Sequence, residues 1–490
     1  MEQGATVIGE GGYGCVHKPS LKCKSSSKSS YKNKVSKVLF STFAKKELKE
    51  YDKIGRIDKT KQFYLGKPKD CQFNTKDKEN QNSLNKCSVA EDMLKTPEDL
   101  TLLIMEDGGI NLEIYANQFV TMGNSKTQFD NLPSRATANL SSPSQATEKP
   151  SNMKRVEIFW MEAFRLLLGI KELLQHGIVH NDLKPQNIVY DEKKQRINLI
   201  DFGLMSVIDD IITSSSHNTN YYANQTYWAY PLETSLYNKI KFDKFCEMNQ
   251  SEREEYIISL CKDTSVKTFL FYENQCITDK ERMKTYLNDL YSFFIFNFNY
   301  PKPNDYVLSR QEYEKENHLH FLINSLSTID IYGLGISFNY MFSKTRHLLN
   351  EGMRKEFSKL FYLMITPNPF KRIKIDSLIN SYEMILKTNG LFEKHSTKFS
   401  SFLLPKEMES RLNKIIKGIT SSIQTKESII VKDADKTVLE MNCFPKKTYN
   451  PLSKRCVKSC KKGYTRNKSF KCISKKKSKS VGGSRKRRIK

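Results

Sequence analysis

No run of about 18 or more consecutive apolar residues occurs in the 490-residue chain, so no membrane-spanning helix is expected. The first 20 residues, MEQGATVIGEGGYGCVHKPS, lack the cationic start, apolar core and cleavage site of a secretory signal. Acidic side chains are in deficit. Fifty-four Asp plus Glu face 80 Lys plus Arg, leaving a formal charge of +26. That balance points to anionic partners such as phosphorylated protein, nucleic acid or an acidic surface, unless basic tails and Lys-rich insertions carry the excess. Cysteine is sparse too. Eleven are too few for a disulfide scaffold, and seven stand singly between residues 15 and 276, as expected of a reducing, intracellular compartment. What remains is ample for a large core: 38% hydrophobic residues, including 28 Phe and 24 Tyr.

Along the chain, residues 1–110 read as a small β-rich lobe. An apolar-Gly segment, Val7 to Val16, precedes a Ser/Lys loop and the strand-like VSKVLF. A helical stretch follows, with Phe43, Leu48, Tyr51, Ile54 and Ile57 at mostly three- and four-residue steps. A second strand, Leu100 to Met105, runs into the turn Glu106-Asp107-Gly108-Gly109. Residues 111–395 read as a larger, mainly helical unit. Within it, residues 121–152 are polar and suggest a disordered insertion. An amphipathic helix then presents Val156, Phe159, Trp160, Ala163, Leu167, Ile170 and Leu174 on one face. Ile188–Tyr190 and Ile197–Ile200 flank a polar turn and read as a hairpin. A linker at 396–440, a cysteine-containing segment at 441–474 and a basic tail at 475–490 complete the division.

The chemistry concentrates in His180-Asn181-Asp182-Leu183-Lys184-Pro185-Gln186-Asn187, followed by Asp201-Phe202-Gly203. Phosphoryl transfer needs metal ions across the phosphates, a carboxylate to orient the attacking hydroxyl, and cations against developing charge. Asp182 can accept that hydroxyl's proton, and Lys184 can reach the transferred group. Asn187 and Asp201 offer the hard oxygens that suit Mg²⁺, with Mn²⁺ as a substitute.

These strings resemble the eukaryotic-type Ser/Thr protein kinase family, over about residues 5 to 385. The resemblance implies an α+β, bilobal fold and a Ser/Thr protein kinase that uses ATP and Mg²⁺ on a protein substrate. It implies roles residue by residue. Ile8, Gly9, Glu10, Gly11, Gly12, Tyr13, Gly14, Cys15 and Val16 resemble the Gly-rich loop over the ATP phosphates. Lys37 looks like the strand lysine of the α/β-phosphates, with Lys34 as its rival. Its ionic partner is expected to be Glu50, preferred to Glu47 because Ile54 and Ile57 follow it in the family's apolar phase. Met105 and Glu106 resemble the gatekeeper and hinge. Tyr230-Pro231-Leu232-Glu233 resembles Ala-Pro-Glu, Asp330 the anchor of the catalytic loop, and Arg372 the partner of Glu233.

Departures qualify the match. Asn181 stands where the family has an Arg that receives an activation-loop phosphate, so that switch is in doubt. Some 97 residues separate Glu233 from Asp330, implying an insertion at 240–325 that is either a docking element or padding. The Gly-rich segment through Cys23 is similar to Ser/Thr kinases of large cytoplasmic DNA viruses (iridovirus-like), which would place the protein in host cytoplasm or a virion. A scaffold that binds nucleic acid without chemistry is the alternative.

Residues 443–456 and 460–472 look like two copies of one unit, the first resembling a short two-cysteine adaptor module of such viruses. Cys443, Cys456, Cys460 and Cys472 have poor metal spacing, leaving structural Zn²⁺, two disulfides or free thiols open. The tail SKKKSKSVGGSRKRRIK lacks interleaved aromatics, so it would meet nucleic acid through phosphates, or simply be solvated.

Overall fold

The computed structural model describes residues 5–11, 14–24, 31, 33–120, 145–216, 229–262, 289 and 310–395, and four short strands between 447 and 474. Two units separate, Met1–Lys426 and Glu427–Lys490.

The first unit opens with an antiparallel sheet of order β1-β2-β3-β5-β4. Its strands are β1 (Thr6–Gly11), β2 (Gly14–Lys18), β3 (Lys34–Phe40), β4 (Lys69–Gln72) and β5 (Leu100–Glu106). Alternation assigns the two faces. Val38, Leu100 and Leu102 pack outward with Cys15, Phe73 and Leu84, while Leu39 and Leu103 meet Ala44 of helix α1 (Ser41–Ile57) on the other side. Between β4 and β5, helices α2 (Lys78–Leu84) and α3 (Ala90–Met93) cover the outer face. Asp77 caps α2 by accepting from the Asn80 N–H.

Cys15–Cys87 ties this cover to β2, and a second disulfide, Cys23–Cys71, ties the segment after β2 to β4. They correct the expectation of scattered free thiols: four of the seven are paired, because the chain folds residues 48 and 72 apart onto one face.

The larger part begins with β6 (Ile110–Asn111), α4 (Leu112–Asn117) and the long α5 (Gln145–Gln175). Helix α5 starts inside the segment expected to be a polar insertion, since residues 145–152 are helical; residues 121–144 lie outside the described residues. Its expected face is buried, Leu174 alone remaining half-exposed. Trp160 is the hub, with ring centroids 4.9 Å from Phe357, 5.4 Å from Phe361 and 5.6 Å from Phe338. After β7 (Ile178–Val179) comes the hairpin of β8 (Ile188–Asp191) and β9 (Arg196–Leu199). Then follow β10 (Ser206–Val207), α6 (Ile208–Ser216), α7 (Lys239–Glu247), α8 (Gln250–Lys262) and α9 (Arg310–Leu326). Helices α10 (Ile329–Thr345), α11 (Glu351–Ile365) and α12 (Ile375–Thr388) close the lobe.

The described ends of the 240–325 insertion are structural. Phe242 and Phe245 of α7 and Phe321 and Leu322 of α9 share a buried cluster with Leu236 and Tyr237. Residues 263–288 and 290–309 lie outside the described residues. The span Asn317–Leu348 is long and apolar enough to cross a membrane, but 83% of its most apolar window is buried within the lobe.

In the second unit, Lys447–Asn450 pairs with Arg455–Lys458, and Tyr464–Arg466 with Cys472–Ser474, both antiparallel. Each strand pair begins inside one of the sequence copies, and its second strand runs two residues past that copy's end. The linker at 396–440, Cys443, Cys460 and the basic tail lie outside the described residues.

Candidate active site

Strand β3 carries Lys37 between Val16 of β2 and Leu103 of β5 in the register. Its side chain points to the α1 face, where Nζ lies 2.9 Å from Glu47 Oε2 and 3.0 Å from Asp201 Oδ1. The expected partner Glu50 is corrected here: it pairs with Lys53 at 2.8 Å. The reason is helix phase. Glu47 sits seven residues before Ile54, within roughly 20° on the helical wheel, and so lies mid-stripe among Ala44, Tyr51 and Ile54. The rival Lys34 points elsewhere, its ammonium on Glu106 at the strand's end.

Burial works against the Lys37 ammonium, but the carboxylates of Asp201 and Glu47 outweigh it and hold the pKa above the ordinary lysine value. Burial likewise pushes Glu47 up, against the pull of Lys37. At Asp201 burial also acts upward, yet the Lys37 ammonium prevails, with Lys184 and His180 behind it, and holds the carboxyl below the usual range.

Asp201 has a left-handed backbone, φ 62°, and Phe202 after it is wedged among aromatic rings. Its centroid lies 4.9 Å from His180, 5.3 Å from Tyr51 and 6.3 Å from Tyr64. The loop between β7 and β8 is hung from α10. Asp330 accepts from the N–H of His180 (2.7 Å) and of Asn181 (2.9 Å). Burial lifts the Asp330 carboxyl to about 6 even with those two bonds. The His180 ring meets the Ile200 carbonyl at 3.2 Å, and burial lowers its pKa to about 4, so it is neutral at pH 7. Helix α10 can approach this closely because Gly333 has no Cβ; one would stand 2.5 Å from the Leu183 carbonyl oxygen.

Within the loop, Lys184 Nζ lies 3.0 Å and 3.1 Å from the two Asp182 oxygens. Asn187 Nδ2 donates to Asp182 Oδ2 at 2.7 Å and to its backbone carbonyl at 2.8 Å. Those bonds spend the amide nitrogen and leave Asn187 Oδ1 as an acceptor. Burial pushes the Asp182 carboxyl above its usual range, opposed by Lys184 and Asn187, which makes it a better proton acceptor. The donor set fits a hard divalent cation: a neutral amide oxygen on Asn187 and a carboxylate on Asp201, 40% exposed. Among the described residues no group of three or more His, Cys, Asp and Glu is arranged to hold a metal.

The Gly-rich segment forms the β1–β2 hairpin. Ile8, Gly9, Glu10 and Gly11 lie on β1, and Gly14, Cys15 and Val16 on β2; Gly12 and Tyr13 fall outside the described residues. Gly14 is sterically required, since a Cβ would sit 2.1 Å from the Val38 carbonyl oxygen. The Cys15 side chain turns into the outer core and bonds Cys87, which leaves its backbone to line the loop. Glu106 ends β5 with its side chain exposed, leaving its backbone for a ligand.

Behind the loop, Glu233 and Arg372 meet at 2.8 Å with neither side chain exposed. Two further contacts carry no signal in the sequence. Gln186 Nε2 donates to Glu113 Oε2 at 2.8 Å, and Tyr230 Oη donates to the Asn181 carbonyl at 3.0 Å.

Residues 148–231, from α5 to Pro231, match the protein kinase domain family. The fold is the bilobal α+β protein-kinase fold. "Probable serine/threonine-protein kinase fhkB" of Dictyostelium discoideum is 52% identical over 48 residues, covering 9% of this chain and 4% of that protein. "Cell division control protein 2 homolog 2" of Trypanosoma brucei brucei is 49% identical over 41 residues, covering 8% of this chain and 12% of that one. The chain therefore spans only a small part of the length of these relatives.

Proposed function

We propose that the protein is an ATP-dependent serine/threonine protein kinase. The observation that carries this is the convergence of Lys37, Glu47 and Asp201, drawn from β3, α1 and the loop after β9, beside the Asp182–Lys184–Asn187 cluster. In this reading Lys37 neutralises the α/β-phosphates and Glu47 holds it in place. Asn187 and Asp201 hold Mg²⁺, which supplies charge neutralisation on the phosphates when bound. Asp182 orients the substrate hydroxyl and takes its proton, and Lys184 offsets charge on the transferred group.

The choice of Ser/Thr rests on the Lys-Pro-Gln-Asn loop and on the name of the Dictyostelium relative. A scaffold without chemistry would not need all four of Lys37, Asp182, Asn187 and Asp201. The likeness to kinases of large DNA viruses adds an intracellular site of action, and the basic tail an anionic partner such as nucleic acid.

The test is transfer of labelled γ-phosphate from Mg-ATP to a basic protein substrate, wild type beside Asp182→Asn. The expected loss is about 10²- to 10⁴-fold. Absence of transfer by the wild type overturns the enzyme reading, and equal transfer by the variant overturns the assignment of the base.

A further inference from the structure

Two departures from the family's pattern touch each other. Asn181 replaces an Arg, Tyr230 replaces an Ala, and the Tyr230 hydroxyl donates to the Asn181 carbonyl at 3.0 Å with both residues buried. Asn181 also reaches the other way. Its Nδ2 donates to the Leu204 carbonyl at 3.3 Å, an oxygen that Ser206 Oγ shares at 3.0 Å. Leu204 lies three residues after Asp201, and Tyr230 three residues before Glu233. One residue next to the base therefore bonds both ends of the activation segment.

The backbone makes this feasible. Asn181 has φ 64°, a left-handed conformation that Asn tolerates better than most residues. Asp330 fixes its N–H at 2.9 Å, and the adjoining end of the segment is fixed by Glu233 on Arg372 at 2.8 Å. Every bond that Asn181 makes to Tyr230 and Leu204 is between neutral groups. An Arg at this position would be a buried cation needing an anion, and a phosphate on the segment is the usual supplier.

We propose that Tyr230 and Asn181 form a built-in clamp that holds both ends of the activation segment in working register without a phosphate, Tyr230 being a positioning residue. The proposal rests on the kinase reading. It makes catalysis independent of phosphorylation of that segment.

The experiment uses the full chain, assayed before and after exhaustive phosphatase treatment, with Tyr230→Phe and Asn181→Asp alongside. Wild type should keep its rate within about 2-fold after treatment. Tyr230→Phe deletes one buried hydroxyl and keeps the ring. Loss of one such bond predicts about 5- to 10-fold lower kcat per folded molecule, with KM for ATP unchanged because Lys37 is untouched. Asn181→Asp removes the donor to Leu204 and should act in the same direction. A merely structural role would lower the melting temperature and leave kcat per folded molecule intact, which sinks the clamp. Transfer before phosphatase but not after also sinks the clamp and spares the kinase reading. No transfer in either state ends both. The phosphatase arm needs no variant, so misfolding of a mutant does not blunt the test.

Discussion

Lys37 with Glu47 and Asp201 lines an open cleft, whereas Arg372 with Glu233 is sealed beneath the activation segment. In the cleft one cation serves two carboxylates, a net charge of −1, and the Asp201 side chain is 40% exposed. In the sealed pair charge is balanced, and the guanidinium and Glu233 Oε1 are fully engaged, while Glu233 Oε2 is buried without a hydrogen-bond partner. Arg372 Nε and Nη2 donate to the Thr366 carbonyl, Nη1 to Thr328 Oγ1, and the guanidinium lies 4.8 Å over the Tyr332 ring. Ser325 Oγ donates to Glu233 Oε1 at 3.1 Å. A surplus of negative charge left facing solvent is what a cation and a phosphate chain can complete, while a balanced, dry pair fixes geometry.

The sealed pair should show the largest effect on stability. Arg372→Met leaves Glu233 buried without a counter-charge, and the expected loss is about 3–5 kcal/mol by urea denaturation. Adding Glu233→Leu should recover much of it. A single-variant loss below about 1 kcal/mol would mean that water reaches this pair and the contrast is false.

Lys37→Met tests the other side. It should cost about 10²- to 10³-fold in kcat/KM while moving the urea midpoint little, because Glu47, already pushed up by burial, can take a proton. A stability loss matching that of Arg372→Met would erase the distinction between the clusters.

Much of this arrangement was legible in the sequence, for a physical reason. Asp182, Lys184 and Asn187 lie in one continuous loop, and Asp201 follows a short hairpin, so their spacing is set by local geometry. Contacts that depend on how distant elements settle were not legible. Glu50 was favoured over Glu47 by counting Ile57 into the apolar phase, yet Ile57 is only half-buried and Ala44, Tyr51 and Ile54 set the face. The Tyr230–Asn181 bond joins residues 49 apart. The Cys15–Cys87 pair depends on α2 and α3 folding across the sheet, and Cys23–Cys71 on the segment after β2 reaching β4.

Those disulfides extend the comparison to the small lobe, where covalent links take the place that buried charge holds in the large one. Closing loops of 72 and 48 residues is worth typically about 2–4 kcal/mol each. Cys15→Ala with Cys87→Ala should therefore lower stability by that order, and a reducing agent should lower the wild-type melting temperature. Insensitivity to reductant, with four titratable thiols at these positions in the folded protein, would show that the cover is held by packing alone.

The finest comparison lies within one turn of α1. Glu47 and Glu50 are both buried and both ion-paired, but Glu47 meets Lys37 inside the cleft while Glu50 meets Lys53, whose side chain is 35% exposed. A pair partly in water contributes little, roughly 0–1 kcal/mol, since solvent screens it and ordering two long side chains costs entropy. Glu50→Gln should leave the rate within about 2-fold and stability within that range. Glu47→Gln keeps an acceptor for Lys37 but removes its charge, so KM for ATP should rise several-fold or more, as for loss of a charge-assisted bond. Measured side by side with the same ATP titration, the two variants test helix phase directly. If Glu50→Gln were the more damaging, α1 would be rotated by about 60° in solution, and Lys37 would have exchanged its partner.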